Sequence, residues 1–192
     1  MKDKIEAARQ ELIETLDAFA PEIERVEETG RVIIECLRKG GKILSAGNGG
    51  SAADALHLAE EFSGRYKGDR PSLAGLCLSV DATVLTCIAN DYGFEAVFSR
   101  QIEGLGRPGD VFVGFTTSGN SANLLRAFEV CRARGVTSIL VSGGSGGKAR
   151  ALVDHAVLVP SRVTARIQEV HTFILHQWLE MVEAEDWTAP LP

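Results

Sequence analysis

The stretch Lys42-Ile-Leu-Ser-Ala-Gly-Asn-Gly-Gly-Ser51 decides the fold of this chain, because a short apolar run turns there into a glycine-rich loop. The segment that follows, Ala52-Ala-Asp-Ala-Leu-His-Leu-Ala-Glu-Glu-Phe62, has the composition of a helix. A strand, a tight loop and a helix in this order predict the first unit of a parallel α/β sheet. The N-terminus of the helix offers free N–H groups to a polar ligand at the end of that strand.

The same alternation continues along the chain. Strands are predicted over 42–45, 73–79, 110–115, 137–141 and 154–159. Helices are predicted over 51–62, 83–89, 95–103, 121–134, 147–152 and 164–183. Nearly continuous apolar strands separated by helices predict one doubly wound, five-stranded parallel sheet of the flavodoxin-like kind, covered on both faces. Such sheets bind ligands at the carboxyl ends of their strands, near the point where the strand order reverses.

Two apolar helical patterns on either side of Pro21 precede the first strand. They predict an N-terminal helical hairpin over 1–40, followed by the α/β sandwich over 41–185 and a loose tail over 186–192, all within a single domain. A helical hairpin that stands outside a sheet often packs against a second copy, so we expect a homo-oligomer in which the hairpin forms the interface.

Composition excludes several classes of function. The chain has 192 residues, and its apolar and charged fractions of 45% and 24% are those of an ordinary globular domain. No apolar run is long enough for a membrane span, and the charged N-terminus does not resemble a signal peptide, so a cytoplasmic location is expected. A net charge of −6 argues against a nucleic-acid surface but does not exclude an anionic substrate. All four cysteines lie in apolar stretches without zinc-finger spacing and are predicted to be buried free thiols: Cys36, Cys77, Cys87 and Cys131.

A second polar loop, Thr116-Thr-Ser-Gly-Asn-Ser121, follows the third predicted strand, with Ser121 as the natural N-cap of the next helix. Hydroxyls and N–H groups at a helix N-terminus can bind a phosphate, and two such loops in one sheet strengthen this interpretation over simple turn capping. A dinucleotide site on the first loop is a rival, but the acid expected about 20 residues later is missing, as is the Gly-Lys-Ser/Thr of a P-loop.

Candidate proton- or metal-handling side chains lie on two of the predicted helices. His57 and Glu61 are one turn apart and share a helix face. His176 lies within the apolar last helix, where an imidazole without a partner is costly to bury, and Gln168 precedes it by two turns, a rise of about 12 Å. Gln168 and His176 can share one ion only if it sits between their turns, and glutamine is a weak zinc ligand. The remaining histidines, His155 and His171, are interpreted as structural.

Taken in order, the motifs of the chain are highly specific. They are Ala46-Gly-Asn-Gly-Gly-Ser-Ala-Ala-Asp-Ala55, His57-Leu-Ala-Glu-Glu61, Ala89-Asn-Asp-Tyr-Gly-Phe94, Thr116-Thr-Ser-Gly-Asn-Ser-Ala-Asn123 and Arg166-Ile-Gln-Glu-Val-His171, completed by His176. On these motifs the chain resembles the phosphoheptose isomerases of the sugar-isomerase (SIS) superfamily over nearly its whole length.

This resemblance implies a homotetramer that interconverts D-sedoheptulose 7-phosphate and D-glycero-D-manno-heptose 7-phosphate, the first step toward the heptose of surface polysaccharides. It also implies one zinc ion per subunit, with ligands at His57, Glu61, Gln168 and His176. The substrate contacts implied are Asn48, Gly49, Gly50, Glu61, Asn90, Asp91, Thr116, Thr117, Ser118, Ser121 and Gln168. For an enediol mechanism we assign Glu61 as base and His176 as acid. One departure is Ala165, where some members carry an acid.

Two other functions are compatible with the same fold. Some SIS proteins bind phosphosugars without catalysis and associate with the bacterial replication initiator; they lack the acid and the final histidine of the metal set. This chain keeps Glu61 and His176, which favours the enzyme. A phosphosugar-sensing regulator is disfavoured because the chain has no DNA-binding segment.

Overall fold

The computed structural model describes residues 1–188, which form a five-stranded parallel sheet between two layers of helices. The strands are β1 (Ile43–Gly47), β2 (Gly75–Cys77), β3 (Val111–Thr116), β4 (Thr137–Gly143) and β5 (His155–Val159). The helices are α1 (Lys2–Phe19), α2 (Ile23–Arg38), α3 (Gly50–Ser63), α4 (Ala82–Tyr92), α5 (Ser99–Leu105), α6 (Ala122–Arg134) and α7 (Thr164–Glu183). Short 3-10 turns cover Ala20–Glu22, Phe94–Ala96 and Gly147–Ala151.

The strand order is β2-β1-β3-β4-β5, and every neighbouring pair is parallel. The predicted fold class is confirmed. The order reverses between β1 and β3, so the loops that follow these two strands meet at one crevice. Two predicted elements differ in detail: the edge strand β2 pairs over only three residues of 73–79, and 147–152 forms a 3-10 turn instead of an α-helix.

The apolar core has one cluster on each face of the sheet. Helices α2, α3 and α7 pack on one face and α4, α5 and α6 on the other. Trp178 of α7 is fully buried in the first cluster, and its indole N–H donates to the Val26 carbonyl at 3.0 Å and lies 3.1 Å from the Thr29 hydroxyl. A buried indole with its polar atom satisfied fixes α7 against α2, and therefore fixes every residue that α7 brings to the site.

The predicted hairpin over 1–40 is corrected by the structure. Helices α1 and α2 follow each other through the 3-10 turn Ala20–Glu22, and each packs more on α7 than on the other helix. Pro21 lies in the first positions of that turn, where its missing N–H costs no hydrogen bond, so the segment is almost continuously helical instead of folding back.

Two smaller predictions are also corrected. The tail was expected to be loose over 186–192, but Trp187 is buried and its indole N–H donates to the Val182 carbonyl at 2.7 Å; residues 189–192 lie outside the described part. Cys87 is exposed on the outer side of α4, whereas the other three cysteines are buried as predicted. None of the helices within residues 1–188 combines the length and apolar content that a membrane span requires.

Candidate active site

The loop after β1 brings backbone N–H groups to the crevice. Gly49 has a φ of 57°, in the left-handed region that favours glycine, and α3 begins at the next residue. The side-chain amide of Asn48 pairs reciprocally with that of Asn123 at the start of α6, at 3.0 and 2.8 Å. This pair connects the loop after β1 to the loop after β3. It uses both the nitrogen and the oxygen of the Asn48 side-chain amide, which was predicted to contact substrate. Asn123 is buried, and no role was predicted for it beyond its place in a motif.

The loop after β3 supplies hydroxyl groups. Ser121 occupies the N-cap position of α6, but its hydroxyl makes no capping hydrogen bond and lies 3.5 Å from the Thr116 hydroxyl. Because Ser121 does not cap its helix, its hydroxyl can donate to a ligand. Gly119 has a φ of 66°, and a Cβ there would come within 1.9 Å of the Gly146 carbonyl oxygen. Only glycine therefore allows the loop after β3 to approach the loop after β4 this closely.

These loops enclose a cleft of about 210 Å³, which we call the hydroxyl cleft. Its lining residues are Asn48, Ser51, Phe115, Thr116, Thr117, Ser118, Ser121, Thr164 and Gln168. Six of them were predicted to contact substrate, and Ser51 and Thr164 were not singled out. A wider cavity of about 690 Å³ shares Thr117, Ser118 and Thr164 with the cleft. Hydroxyls, an amide and the N-termini of α3 and α6 are groups that can bind an anion such as phosphate without a basic side chain.

Helices α3 and α7 run side by side in the same direction, and their facing residues define three levels of a seam. At the first level the Gln168 amide lies so close to Gly50 that a Cβ there would come within 2.5 Å of its Nε2 atom. At the second level the Thr172 hydroxyl lies 3.2 Å from Asp54 Oδ1. At the third level the rings of His57 and His176 meet with centroids 5.1 Å apart, nearly perpendicular.

The third level gathers the predicted acid–base groups into one place. His57 Nε2 lies 3.4 Å from Glu61 Oε1, and His176 packs against the same imidazole. Among the described residues, the ligand atoms that lie within 4.8 Å of one another are those of His57, Glu60 and Glu61; His176 adjoins this group through its contact with the His57 ring. We call His57, Glu61 and His176 the histidine cluster. Gln168 is not part of it, because α7 is a regular helix and about 12 Å of rise separates Gln168 from His176.

The protonation of the cluster is set by its surroundings. Burial lowers the pKa of His176, and the neighbouring His57 lowers it further, while Glu61 and Glu180 act in the opposite direction. The imidazole of His176 is therefore kept in its neutral form, which can bind a metal ion or exchange a proton with a substrate oxygen.

A buried pair of titratable groups occupies the second level. Burial raises the pKa of Asp54 to about 6, with opposing effects from Thr172 and His57. Burial lowers the pKa of His171 to about 3, opposed by the Ser142 backbone. His171 Nδ1 lies 3.9 Å from Asp54 Oδ2, and neither atom has a hydrogen-bond partner within residues 1–188. His171 is fully buried, and its structural role stays a prediction; no role was predicted for Asp54.

Two predicted substrate contacts lie elsewhere in this chain. Asn90 and Asp91 are exposed at the last turn of α4, where the Asn90 amide donates to Asp91 Oδ1 at 2.7 Å. Neither lines the hydroxyl cleft or the wider cavity. Ala165, the residue at which some family members carry an acid, is exposed at the start of α7.

Comparisons with known proteins agree with this geometry. A family model described as "SIS domain" matches residues 8–143. The phosphoheptose isomerase of Campylobacter jejuni is 50% identical over 159 residues, covering 83% of this chain and 86% of its own. That of Tolumonas auensis is 44% identical over 186 residues, covering 96% of each. The solved phosphoheptose isomerase of Neisseria gonorrhoeae superposes with a TM-score of 0.91 at 39% identity, covering 96% of this chain and 99% of that one.

Proposed function

The chain belongs to the phosphoheptose isomerase family of SIS-domain proteins, and from that premise we propose that it interconverts D-sedoheptulose 7-phosphate and D-glycero-D-manno-heptose 7-phosphate. The observation that carries the proposal is the seam between α3 and α7. It presents a hydroxyl-lined anion cleft at one end and a carboxylate beside two imidazoles at the other. A phosphate in the cleft would leave the sugar carbons to extend along the seam toward the histidine cluster.

Each loop has a defined task in binding the phosphate. The N-termini of α3 and α6 direct backbone N–H groups and the positive ends of their dipoles to the cleft. The hydroxyls of Ser118 and Ser121 donate to phosphate oxygens, and the Asn48–Asn123 pair keeps the two loops at a fixed separation. Gln168, whose amide lies against Gly50, would donate to the phosphate or to a nearby sugar hydroxyl.

The reaction moves one proton between C1 and C2 and relocates the carbonyl oxygen. Glu61 is placed as the base that removes the C1 proton of the ketose and returns it to C2 of the enediol. His176 exchanges protons with the substrate oxygens through one ring nitrogen, and its neutral form suits this role because that nitrogen can carry the N–H while the other stays available to a metal ion. His57, paired with Glu61, orients the carboxylate.

The histidine cluster also has the chemistry of a zinc site. Two imidazoles and a carboxylate are a donor set that zinc commonly takes in catalytic sites, leaving a coordination position for substrate. His57, Glu61 and His176 would hold one ion per subunit, and the ion would polarise the carbonyl as a Lewis acid. Gln168 is the weakest member of the predicted ligand set, because its amide packs against Gly50 at the other end of the seam.

Assembly into a homotetramer is the remaining part of the proposal. A partly apolar groove of about 360 Å³ lies between α2 and α7, and its rim includes the exposed side chains of Ile23 and Phe173. Exposed apolar side chains on adjacent helices are suited to a subunit interface. Asn90 and Asp91 would then contact substrate in a neighbouring subunit, since they lie outside the cleft of their own chain. A cytoplasmic location remains a prediction.

The decisive experiment is incubation of the purified protein with sedoheptulose 7-phosphate, with detection of the aldose. We expect turnover that a chelator removes and Zn²⁺ restores. Glu61→Gln should abolish turnover without unfolding the protein, while Glu103→Gln, which changes an exposed acid on α5, should retain it. Wild-type turnover in Glu61→Gln would remove that carboxylate from the mechanism.

A further inference from the structure

The loop between α3 and β2 folds back over α7 close to the histidine cluster. One carboxylate of α7 holds its backbone: Glu183 accepts from the Tyr66 N–H at 3.3 Å and from the Gly68 N–H at 2.7 Å. Burial acts to raise the pKa of Glu183, but these N–H groups and Arg70 outweigh it, so the pKa lies below its ordinary value. The group that holds the loop is therefore a charged carboxylate, which makes stronger hydrogen bonds than a neutral acceptor.

Arg70 connects this carboxylate to the end of α3. Its side chain is only 5% exposed, and its Nε lies 3.3 Å from Glu183 Oε1. The guanidinium donates to the carbonyls of Glu61 at 2.6 Å and Phe62 at 2.9 Å, which belong to the last turn of the helix. Carbonyls of a last helical turn lack partners within the helix, and a guanidinium can satisfy two of them at once. Arg70 and Glu183 thus join the end of α3, the loop and α7.

The loop residue held in this way covers His176. The half-buried ring of Tyr66 lies 5.5 Å from the His176 ring, centroid to centroid, with 34° between the planes. The His176 ring also meets the His57 ring, at 5.1 Å between centroids. An imidazole packed against two other rings has few rotamers left, and removing one of those rings gives it more rotamers and more contact with water.

We propose that Tyr66 is a positioning residue for His176, and that Glu183 and Arg70 hold Tyr66 in place through the backbone of the loop. The role of Tyr66 lies in its ring, because the contact with His176 is made by the ring. The inference rests on the proposed function for its effect on turnover, but the placement of His176 can be measured without it.

The test uses the full-length protein in four variants: Tyr66→Phe, Tyr66→Leu, Glu183→Ala and Asp69→Asn. Asp69→Asn is the matched control, since Asp69 is an exposed residue of the same loop and takes no part in the contacts of Tyr66 and Glu183 described above. The imidazole proton resonances of the metal-free protein are the first readout. With four histidines in the chain, the His176 signal can be assigned by its loss in His176→Gln.

Tyr66→Leu and Glu183→Ala should both shift the His176 resonance, weaken Zn²⁺ binding about 10–100-fold in competition with a chromophoric chelator, and lower kcat while leaving KM near its wild-type value. Tyr66→Phe and Asp69→Asn should match the wild type in all three measurements. An unchanged His176 resonance and Zn²⁺ affinity in Tyr66→Leu would overturn the proposal. So would a Tyr66→Phe variant as impaired as Tyr66→Leu, because the ring would then not be the acting part.

The test of Tyr66 can be told apart from the test of the proposed isomerase activity. If the wild type does not isomerise the heptose phosphate, the resonance still reports whether Tyr66 sets the position of His176. If Glu183→Ala fails to fold, the two Tyr66 variants, which alter a half-buried side chain, decide the question alone.

Discussion

The buried pair at the middle of the α3–α7 seam makes stability depend on pH in a way that single variants can separate. Asp54 has its pKa raised from 3.8 to about 6, so the folded protein holds this proton more tightly than the unfolded chain does. The contribution of protonated Asp54 to the free energy of unfolding is fully present below pH 3.8 and is lost as the pH rises to about 6. Each pKa unit corresponds to about 1.4 kcal/mol, so the loss is about 3 kcal/mol.

His171 acts in the opposite direction. Its pKa is lowered from 6.5 to about 3, so the folded protein favours the neutral imidazole. The stability that this confers is complete above pH 6.5 and declines as the pH falls toward 3, by about 5 kcal/mol in total. Between pH 4 and 6 the two effects have opposite slopes and largely cancel in the wild type.

Replacing one partner with a neutral residue of similar shape removes its titration from the pH dependence of the unfolding free energy. The difference between variant and wild type then gives the contribution of that one group. Relative to wild type, Asp54→Asn should gain about 3 kcal/mol in the free energy of unfolding as the pH rises from 4 to 6.5. His171→Gln should gain about 3 kcal/mol relative to wild type as the pH falls over the same range. The measurement is urea unfolding at fixed protein concentration, with the m-value checked at each pH. Curves for Asp54→Asn and wild type that stay parallel from pH 4 to 6.5 would refute the reasoning.

Three further predictions follow from single contacts. Gly50→Ala places a Cβ within 2.5 Å of the Gln168 amide and should displace it, raising KM for the heptose phosphate with little change in the unfolding free energy; equal KM in both proteins would exclude the amide from binding. Trp178→Phe removes an indole whose N–H contacts Val26 and Thr29, and should lower the unfolding free energy by about 1–3 kcal/mol in urea titrations, through the lost indole hydrogen bond and the lost volume; the Thr29 hydroxyl still donates to the Val26 carbonyl. Gly119→Ala combines a φ of 66° with a 1.9 Å clash against Gly146, and should lower the melting temperature far more than Gly104→Ala, where a Cβ meets no atom within 4 Å.

Regular elements with a clear pattern could be predicted from the sequence. The last helix was predicted over 164–183 and has those bounds, because its apolar residues repeat at helical spacing and Pro160 precedes it. The two loops of the crevice were predicted from their glycines and hydroxyls, since few other structures require such residues at the end of an apolar strand. The sequence also predicted that His57, Glu61 and His176 lie together. His57 lies 3.4 Å from Glu61 and its ring is 5.1 Å from that of His176, whereas their binding of one ion stays a prediction.

Features that depend on tertiary packing could not be predicted. The sequence separates Asn48 from Asn123, and nothing in either segment indicates that their amides pair. Tyr66 lies in a loop without periodicity, so its contact with His176 is visible only when α7 is in place. Pro21 correctly marked a break in the α-helix, but a proline at the start of a 3-10 turn does not reverse the chain, and the predicted hairpin was wrong for that reason.

The order in which the chain is synthesised matters for this site. The first βα unit provides Asn48, His57 and Glu61, whereas Gln168 and His176 arrive only with the last helix. A nascent chain that has left the ribosome up to β5 already carries every strand of the sheet, yet it has neither the amide of the cleft nor the second imidazole. Translation must therefore be nearly finished before the candidate site of this protein is complete.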